Sequence, residues 1–261
     1  MKRELLDVVF ASEKRKNFLL LLKDGPQEME DILESLDTTR QNLLPQVKIL
    51  EENYLVRHYD DSYELSRIGS MLVDEMVPLL ETVDVFDSNI DYWGTHKLDF
   101  IPSHLLDKLD QLNNCEIISP PITELYSFHK SFNPNFEVSS RACTITAFLY
   151  PNAYELFTDM FEHNMTLDFI VTRELLSKIK KEHREEFSEL IENESFSMYV
   201  YNEKMDFLFL VFDEVHLLMA MLKNTGEFDH KFIACKSKTA IQWAEEFFEY
   251  YKKNSSPVTE I

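Results

Sequence analysis

Glycine is scarce in this chain of 261 residues, which contains only Gly25, Gly69, Gly94 and Gly226. Phosphate-binding loops and dinucleotide-binding fingerprints both require clustered glycines, because only glycine lets the backbone approach a phosphate closely. No two of the four glycines lie within 20 residues of each other. The sequence therefore excludes a nucleotide site of either kind.

Cysteine and long apolar runs are scarce as well. The three cysteines, Cys115, Cys143 and Cys235, form no CxxC pair, so we expect neither a disulfide-rich secreted fold nor a structural zinc module. The longest apolar runs, 18–22 and 207–212, are far shorter than the roughly 20 residues of a membrane-spanning helix. The first residues alternate charged and apolar side chains, unlike a signal peptide. We therefore predict a soluble cytoplasmic protein with no membrane partner.

Recognisable catalytic motifs are missing. The eight histidines are scattered without an HExxH sequence, and no GxSxG nucleophile elbow occurs. His129-Lys130 lacks the HxK spacing of phospholipase-D-type enzymes. We predict that the protein is not an enzyme and has no catalytic residues, no metal ligands and no cofactor. An enzyme acting on a small metabolite is the third hypothesis, which titratable groups converging in one pocket would revive.

The chain is rich in aromatic residues and in negative charge. Hydrophobic residues make up 44% of it and include 20 Phe, 11 Tyr and 2 Trp, enough for a sizeable core. The formal charge of −21 by itself argues against binding to nucleic acid. The charge is uneven, however. Residues 1–70 contain 10 basic and 14 acidic side chains and carry only −4, which leaves −17 for residues 71–261.

Residues 1–70 have the pattern of a winged helix-turn-helix domain. Apolar residues recur at helical spacing over 5–23, 28–36 and 40–52. Two β-prone runs, 54–59 and 63–65, flank an Asp60-Asp61-Ser62 turn and predict a hairpin. Three helices followed by a hairpin predict a winged helix, in which the third helix is the one that reads DNA.

The third predicted helix opens with residues suited to DNA recognition. Residues 38–50 contain Arg40 and Lys48 and no acid, so this stretch is locally positive. Arg, Gln and Asn side chains at a helix N-terminus can reach base edges in the major groove. The predicted DNA-binding residues are Thr38, Thr39, Arg40, Gln41, Asn42, Gln46, Lys48, Arg57, His58 and Tyr63.

Most of these residues are assigned to one of three roles. We expect Arg40, Gln41 and Asn42 to read bases, and Thr38, Thr39 and Lys48 to hold phosphates. Arg57, His58 and Tyr63 are expected to place the wing on DNA. The alternative hypothesis is a protein-interaction module whose winged helix no longer binds DNA.

Beyond residue 70 the pattern changes. Residues 71–97 predict a linker helix and connector, residues 98–254 an α/β sensor-like domain, and residues 255–261 a flexible tail. In the second domain we predict helices over 102–112, 122–132, 152–163, 174–191 (with a break near Lys181) and 238–253. We predict strands over 115–119, 142–150, 166–171, 195–201, 206–212, 215–222 and 228–235. The predicted fold class is therefore α+β or α/β.

The strands of the second domain contain a candidate effector site. Thr144, Thr146 and Tyr150 share one face of a predicted strand, and Tyr199 and Tyr201 share a face of another. Such hydroxyl groups could orient a small ligand between sheet and helices, and the alternative is simply a partly polar sheet face. The net charge of −17 on this half disfavours an anionic effector. A cation, a neutral metabolite or a protein partner remains as the candidate effector.

Four stretches of the chain, 38–46, 85–93, 101–106 and 240–251, resemble an archaeal family of winged-helix regulators associated with methanogenesis genes. The resemblance covers nearly the whole chain. It implies an N-terminal DNA-binding winged helix joined to an α/β sensor-like domain. We therefore expect a transcription regulator, with double-stranded DNA as partner, that acts as a homodimer and responds to a small-molecule effector or a protein partner. The linker helix is the element expected to bring two subunits together, and the alternative is a helix that packs only on its own chain.

Two residues depart from the usual winged-helix pattern. Many winged helices have glycine at the position of Tyr54, so we expect Asn53 to take the left-handed conformation here. Pro45 lies inside the third predicted helix and removes one backbone hydrogen bond. We interpret Pro45 as a kink within the helix.

Overall fold

The computed structural model describes residues 4–121 and 139–261. The chain consists of two compact units, Met1–Glu81 and Thr82–Ile261. The division falls inside a helix that runs over Arg67–Asp87, whereas the sequence predicted boundaries after residues 70 and 97. The helix predicted over 122–132 lies outside the described residues.

The first unit begins with two helices, α1 (Leu5–Phe10) and α2 (Glu13–Leu21), where we predicted a single one over 5–23. The side chain of Arg15, which is 4% exposed, donates hydrogen bonds to the backbone oxygens of Asp7 and Val8 in α1. Carbonyls at a helix end need a partner, and here a buried arginine of the next helix supplies it. The single-helix prediction was therefore wrong.

The remaining elements of this unit form a winged helix. They are β1 (Gln27–Glu28), α3 (Met29–Ser35), α4 (Arg40–Glu52), β2 (Val56–Tyr59) and β3 (Ser62–Leu65). The three strands pair antiparallel in the order β1-β3-β2. The predicted helices over 28–36 and 40–52 and the hairpin are confirmed, and β1 is an addition that the sequence did not predict. The core of the unit includes Phe18, Leu22, Met29, Ile32, Leu43, Val47, Leu50 and Leu55.

Helix α4 ends in a Schellman motif. The amide of Leu55 donates to the oxygen of Leu50 over 3.0 Å, and the amide of Tyr54 donates to the oxygen of Glu51 over 2.8 Å. This pattern requires the left-handed conformation at Tyr54, which has φ +60°, whereas Asn53 has φ −102°. The prediction for Asn53 was wrong by one residue, because the capping hydrogen bonds decide which residue turns.

The base of the wing is fixed by α5 (Arg67–Asp87). The Ser66 hydroxyl accepts from the amide of Gly69 over 3.0 Å and donates to the oxygen of Tyr54 over 2.6 Å. A Cβ on Gly69 would lie 2.0 Å from the oxygen of Leu55. Glycine is therefore required where α5 crosses the strand that enters the wing.

The second unit contains one eight-stranded sheet. Its strands are β4 (Glu116–Ile118), β5 (Arg141–Thr146), β6 (Thr166–Val171), β7 (Phe196–Tyr201), β8 (Phe207–Phe212), β9 (Leu217–Met221), β10 (Phe232–Cys235) and β11 (Ser255–Pro257). Their order is β11-β7-β6-β5-β8-β9-β10-β4. Strands β5, β6 and β7 are parallel, and the other pairings are antiparallel. The α+β class that the sequence predicted is confirmed.

Described helices of the second unit pack on both faces of this sheet. They are α6 (Ile90–Thr95), α7 (Ser103–Leu106), α8 (Ala153–Glu162), α9 (Arg173–Glu182), α10 (Arg184–Glu192) and α11 (Lys238–Lys253). Cys143 and Ile145 of β5 belong to the core that contains α11. Ala142 of the same strand belongs to the core formed with α8, α9 and α10. Successive residues of a strand thus serve opposite faces.

Several predicted boundaries shift in this unit. The break predicted near Lys181 is confirmed between α9 and α10. The helix predicted over 102–112 is reduced to α7 and a 3₁₀ turn over Leu109–Leu112. Strand β5 stops at Thr146, because its hydroxyl donates to the oxygen of Phe148 and accepts from the amide of Phe148, which forms a turn.

The tail predicted to be flexible over 255–261 differs most from expectation. Ser255–Pro257 forms β11 at the edge of the sheet, paired with Tyr199–Tyr201 of β7. The side-chain amide of Asn202 donates a hydrogen bond of 3.0 Å to the backbone oxygen of Asn254. The backbone amide of Val258 donates one of 2.9 Å to the backbone oxygen of Met198. These backbone partners lie more than 50 residues away, so a local pattern does not reveal them.

A disulfide joins Cys115 to Cys235, 120 residues apart in sequence. Cys235 ends β10, and Cys115 immediately precedes β4, the neighbouring edge strand. Cys143 is a buried free thiol. The cysteines form no CxxC pair in the sequence, and the pairing of β4 with β10 brings two of them together.

Candidate nucleic-acid interface and effector cavity

Helix α4 presents the predicted recognition residues to solvent. Leu43, Val47 and Leu50 face the core of the first unit, which turns the opposite side of the helix outward. Thr39 is the N-cap residue of α4, and its side chain makes no capping hydrogen bond. The exposed residues of the predicted set on and before this helix are Thr39, Arg40, Gln41, Asn42 and Lys48, and Thr38 is half-buried.

Arg40 does not stand alone on this surface. Its guanidinium group forms an ion pair and hydrogen bond with Asp61 in the wing turn, and each side chain is 47% exposed. The hydrogen bond to Asp61 is the main reason that the pKa of Arg40 is raised above its ordinary value. The pair ties the start of α4 to the tip of the wing. Asp61 therefore competes with any phosphate or base for the same guanidinium group.

The wing residues divide into an exposed and a buried group. Arg57 and His58 are exposed on β2, and the His58 ring contacts a carboxylate oxygen of Glu51. The same ring stacks on Tyr63 with 5.5 Å between the ring centroids. Tyr63 is only 6% exposed and packs edge-on against Phe18, and burial raises the pKa of its phenol. Tyr63 supports the wing from inside, which corrects its predicted place on the DNA surface.

Gln46 is also engaged inside the unit. Its side-chain oxygen accepts a hydrogen bond of 2.6 Å from the guanidinium group of Arg15. This contact connects α4 to α2 and holds the half-buried amide against the protein. The contact of Gln46 with DNA stays a prediction, and this hydrogen bond competes with it.

Lys48 and Arg57 form no ion pair within the described part of the chain, so their charges are available at the surface. Sequence reasoning missed the role of Asp61, because it treated this residue only as part of a turn. An acidic turn directly after a basic strand was the signal that could have revealed it. Tyr59, at the end of β2 and 65% exposed, was also missed and lies beside the same turn.

The second unit contains a cavity of about 120 Å³ on one face of the sheet. It lies between strands β5, β6, β8 and β9 and helix α8. Thr144, Thr146 and Tyr150, three of the predicted ligand residues, line it together. The other lining residues are Ala142, Phe148, Leu149, Ala153, Leu156, Phe157, Met160, Met165, Leu167, Phe169, Phe209, Val211, Phe212, Asp213, His216 and Leu218.

Tyr199 and Tyr201 do not line this cavity. The Tyr201 ring packs against Tyr251 at 4.8 Å, and burial raises its pKa to about 12. The Nζ atom of Lys252 lies 4.8 Å from the centre of the Tyr199 ring. Both tyrosines are on β7, beyond β6 in the sheet and apart from this cavity, so their part in ligand binding stays a prediction.

Polar groups are few in the cavity wall, and most have protein partners. The hydroxyl of Thr146 is used by Phe148. An oxygen of Asp213 accepts hydrogen bonds of 2.7 Å from the amides of Val215 and His216. The hydroxyl of Thr144 makes no hydrogen bond within the described residues, and neither lysine nor arginine occurs among the lining residues above.

In residues 4–121 and 139–261, no group of three or more His, Cys, Asp or Glu side chains is arranged to hold a metal ion. None of the helices in these ranges is both long enough and apolar enough to cross a membrane.

Comparison with known proteins assigns the chain to a family. Residues 3–84 match the family description "Methanogenesis regulatory protein FilR1, N-terminal domain", and residues 125–254 match "Methanogenesis regulatory protein FilR1, middle domain". The chain belongs to the FilR1 family of methanogenesis regulatory proteins. The family resemblance inferred from the sequence is thereby confirmed.

A relative from Methanothrix harundinacea (strain 6Ac), named Methanogenesis regulatory protein FilR1, is 24% identical over 258 residues. The match covers 97% of this chain and 58% of the relative, so the chain spans little more than half of that FilR1 protein. The relative's name is that of a regulatory protein and not of an enzyme.

Two solved structures are more distant. TrmBL2, described as an archaeal chromatin protein with a novel mode of DNA binding, has 12% identity, a TM-score of 0.43 and 97% coverage of both chains. Phosphatidylserine synthase from Haemophilus influenzae Rd KW20 has 11% identity and a TM-score of 0.42, over 56% of this chain and 40% of the synthase. Both TM-scores lie below 0.5, and neither likeness bears on function.

Proposed function

We propose that this chain is a transcription regulator that binds double-stranded DNA through its winged helix. The observation that carries the proposal is the exposed side of α4, where basic and amide side chains occur without an acid over residues 38–50. Membership of a family of regulatory proteins supports it. In this proposal Arg40, Gln41 and Asn42 contact bases, while Thr38, Thr39 and Lys48 contact phosphates. Arg57 and His58, which belong to the wing, lie along the DNA backbone.

The test is selection from a pool of random duplex DNA across a salt series. We expect a retained sequence motif and an affinity that falls steeply as salt rises, because phosphate contacts release counterions. Absence of retention even at low salt contradicts DNA binding by the chain. That result favours the second candidate, a protein-interaction module. The net charge of −21 and the Arg40–Asp61 pair also support this candidate.

Two substitutions separate base reading from phosphate binding. Arg40→Ala is expected to cost about 1–3 kcal/mol of binding to the selected site and to relax its specificity. Lys48→Ala is expected to weaken binding to all sequences alike and to reduce the salt slope by about 1. Lys181→Ala, at an exposed position of α9 in the second unit, is the charge-matched control. Equal losses for all three variants would contradict the assigned roles.

The proposed regulator is a homodimer that pairs through α5. Ile68, Met71 and Leu79 of this helix are 51%, 60% and 53% exposed and lie along one side of it at helical spacing. We expect Met71→Glu combined with Leu79→Glu to halve the mass in light scattering. Leu44→Glu, at an exposed leucine of α4 outside this stripe, is expected to leave the mass unchanged. A monomeric unmodified chain would remove this part of the proposal.

The second unit is proposed to sense an effector that biases DNA binding. The cavity beside Thr144, Thr146 and Tyr150 supports this role, since effector sites are concave and mostly apolar with a few polar groups. A molecule that occupies the cavity is expected to change the affinity for the selected DNA site, and by linkage DNA changes the affinity for that molecule equally.

A further inference from the structure

The cavity of the second unit has a deeply buried wall and is partly open to solvent. Many of its wall residues are almost completely buried, among them Met165 at 1%, Phe169 at 2% and Phe157 at 7% exposed, whereas Thr144 and Tyr150 are half-buried. Protein interiors are packed nearly as densely as organic crystals, and spaces larger than a water molecule are few. An open space of about 120 Å³ beside such side chains is therefore a candidate site for an occupant.

The volume limits the size of that occupant. Ligand pockets for drug-sized molecules measure about 300–1,000 Å³. An engineered apolar cavity of about 150 Å³ in another protein stays dry and accepts benzene. At about 120 Å³, the present cavity suits a body about as large as one aromatic ring.

The wall chemistry limits the charge of the occupant. The described wall contains one carboxylate, Asp213, which pairs with the ring of His216 in the same wall, and it contains no lysine or arginine. An anion would be desolvated here beside the Asp213 carboxylate and without a lysine or arginine as counter-charge, which is strongly unfavourable. A cation would also lose its hydration, and Asp213 already accepts two backbone hydrogen bonds and contacts His216 through both of its oxygens. A neutral molecule is the class that remains.

The Thr144 hydroxyl is a polar group placed to orient such a molecule. The Thr144 hydroxyl lines the cavity and has no hydrogen-bond partner within the described part of the chain. Thr146, two residues along the same strand, has its hydroxyl bonded to the backbone of Phe148. We propose that the cavity binds a small neutral molecule of aromatic-ring size, with one hydroxyl or carbonyl group that hydrogen-bonds to Thr144.

This inference rests on the proposed function only for its regulatory meaning, since binding to the cavity can be measured without DNA. The probes are phenol, toluene and benzoate, which share a ring and differ in one substituent. Their affinities for the full chain at pH 7 are measured by protein-observed NMR titration. We expect phenol to bind most tightly, toluene several-fold more weakly, and benzoate at least ten-fold more weakly than phenol.

Two threonine substitutions locate the binding. Thr144→Val preserves the shape and β-branching of the side chain and removes the hydroxyl, so it is expected to weaken phenol about ten-fold and to leave toluene unchanged. Thr166→Val, at an exposed position of β6 outside the cavity, is the matched control and is expected to change neither. Ala142→Val narrows the cavity and is expected to weaken both neutral probes.

Three results would overturn the inference: no binding of either neutral probe, benzoate binding as tightly as phenol, or Thr144→Val and Thr166→Val acting alike. The outcome is separable from that of the proposed function. Phenol binding without DNA retention leaves the cavity assignment intact and removes the DNA proposal. DNA retention without phenol or toluene binding does the reverse.

Discussion

At the scale of single residues, Gly69 and Gly94 offer a matched test of backbone packing. A Cβ on Gly69 would collide with the oxygen of Leu55, whereas nothing lies within 4 Å of a Cβ on Gly94 in α6. We expect Gly69→Ala to destabilise the chain by about 1–3 kcal/mol or more, because backbone has to shift. Gly94→Ala is expected to stabilise it by about 0.5–1 kcal/mol, since alanine favours helix. Urea unfolding of both variants measures the difference, and two changes of the same sign would contradict the close approach.

A second residue-scale prediction concerns Asp61, the carboxylate that pairs with Arg40. Asp61→Asn removes the carboxylate and frees the guanidinium group, so we expect tighter binding to DNA. Because both side chains are nearly half exposed, the free energy of unfolding should change little. Asp60→Asn, one residue earlier in the same turn, removes the same charge without touching the pair. Equal gains for the two variants would mean that only the overall charge matters.

The site residues show how far a sequence pattern reaches at this scale. Arg40, Gln41 and Lys48 lie on the exposed side of α4 as the helical spacing predicts. Gln46 and Tyr63 have the same polar character in sequence, yet Arg15 and Phe18 hold them inside the unit. Both partners lie in α2: Arg15 is 31 residues from Gln46, and Phe18 is 45 residues from Tyr63 (63 − 18). A polar side chain is thus predictable as a candidate, while its partner is not.

At the scale of elements, the Cys115–Cys235 disulfide fastens the edge strand β4 to β10. A cross-link that closes a loop of 120 residues restricts the unfolded chain strongly. We expect Cys115→Ser to lower the free energy of unfolding by about 2–4 kcal/mol under non-reducing conditions. A reductant should remove the difference between variant and unmodified chain. Thiol titration of the unfolded chain should find one thiol before reduction and three after it.

Element prediction succeeded where the signal was local. The break between α9 and α10 and the hairpin of β2 and β3 follow from residues within one window of sequence. The strand β11 and the pairing of β4 with β10 depend on partners 54 and more than 100 residues away. The order of the eight strands is therefore a property of packing between distant segments, which periodicity does not encode.

At the scale of the whole molecule, the charge is distributed in a way that suits the proposed function. The first 70 residues carry −4 and the remaining 191 carry −17. A strongly acidic second unit opposes non-specific attraction to DNA, because repulsion between like charges acts over about one Debye length. Contacts of α4 and the wing then have to supply the binding. The repulsion therefore favours binding to specific sites over binding to random DNA sequence.

The last prediction concerns cooperativity between the two units. Among the described residues, the core of the first unit extends from Val8 to Met76, and the cores of the second begin at Val85, with no residue in common. Chains with more than one compact unit often depart from two-state unfolding, so we expect two transitions in calorimetry, one for each unit. Leu50→Ala and Leu190→Ala, both at almost fully buried positions, should each lower one transition.

The two shifts should also differ in size. A given loss of free energy moves the midpoint of a smaller domain further, by about 4–8 °C per kcal/mol against about 2–4 °C for a domain of 150–250 residues. Leu50→Ala in the 81-residue unit should therefore move its transition about twice as far as Leu190→Ala moves the other, for equal destabilisation. A single transition that both substitutions lower would contradict independent cores. Two separate transitions would mean that the winged helix keeps its fold while the second unit changes, which a sensor acting on a DNA-binding unit requires.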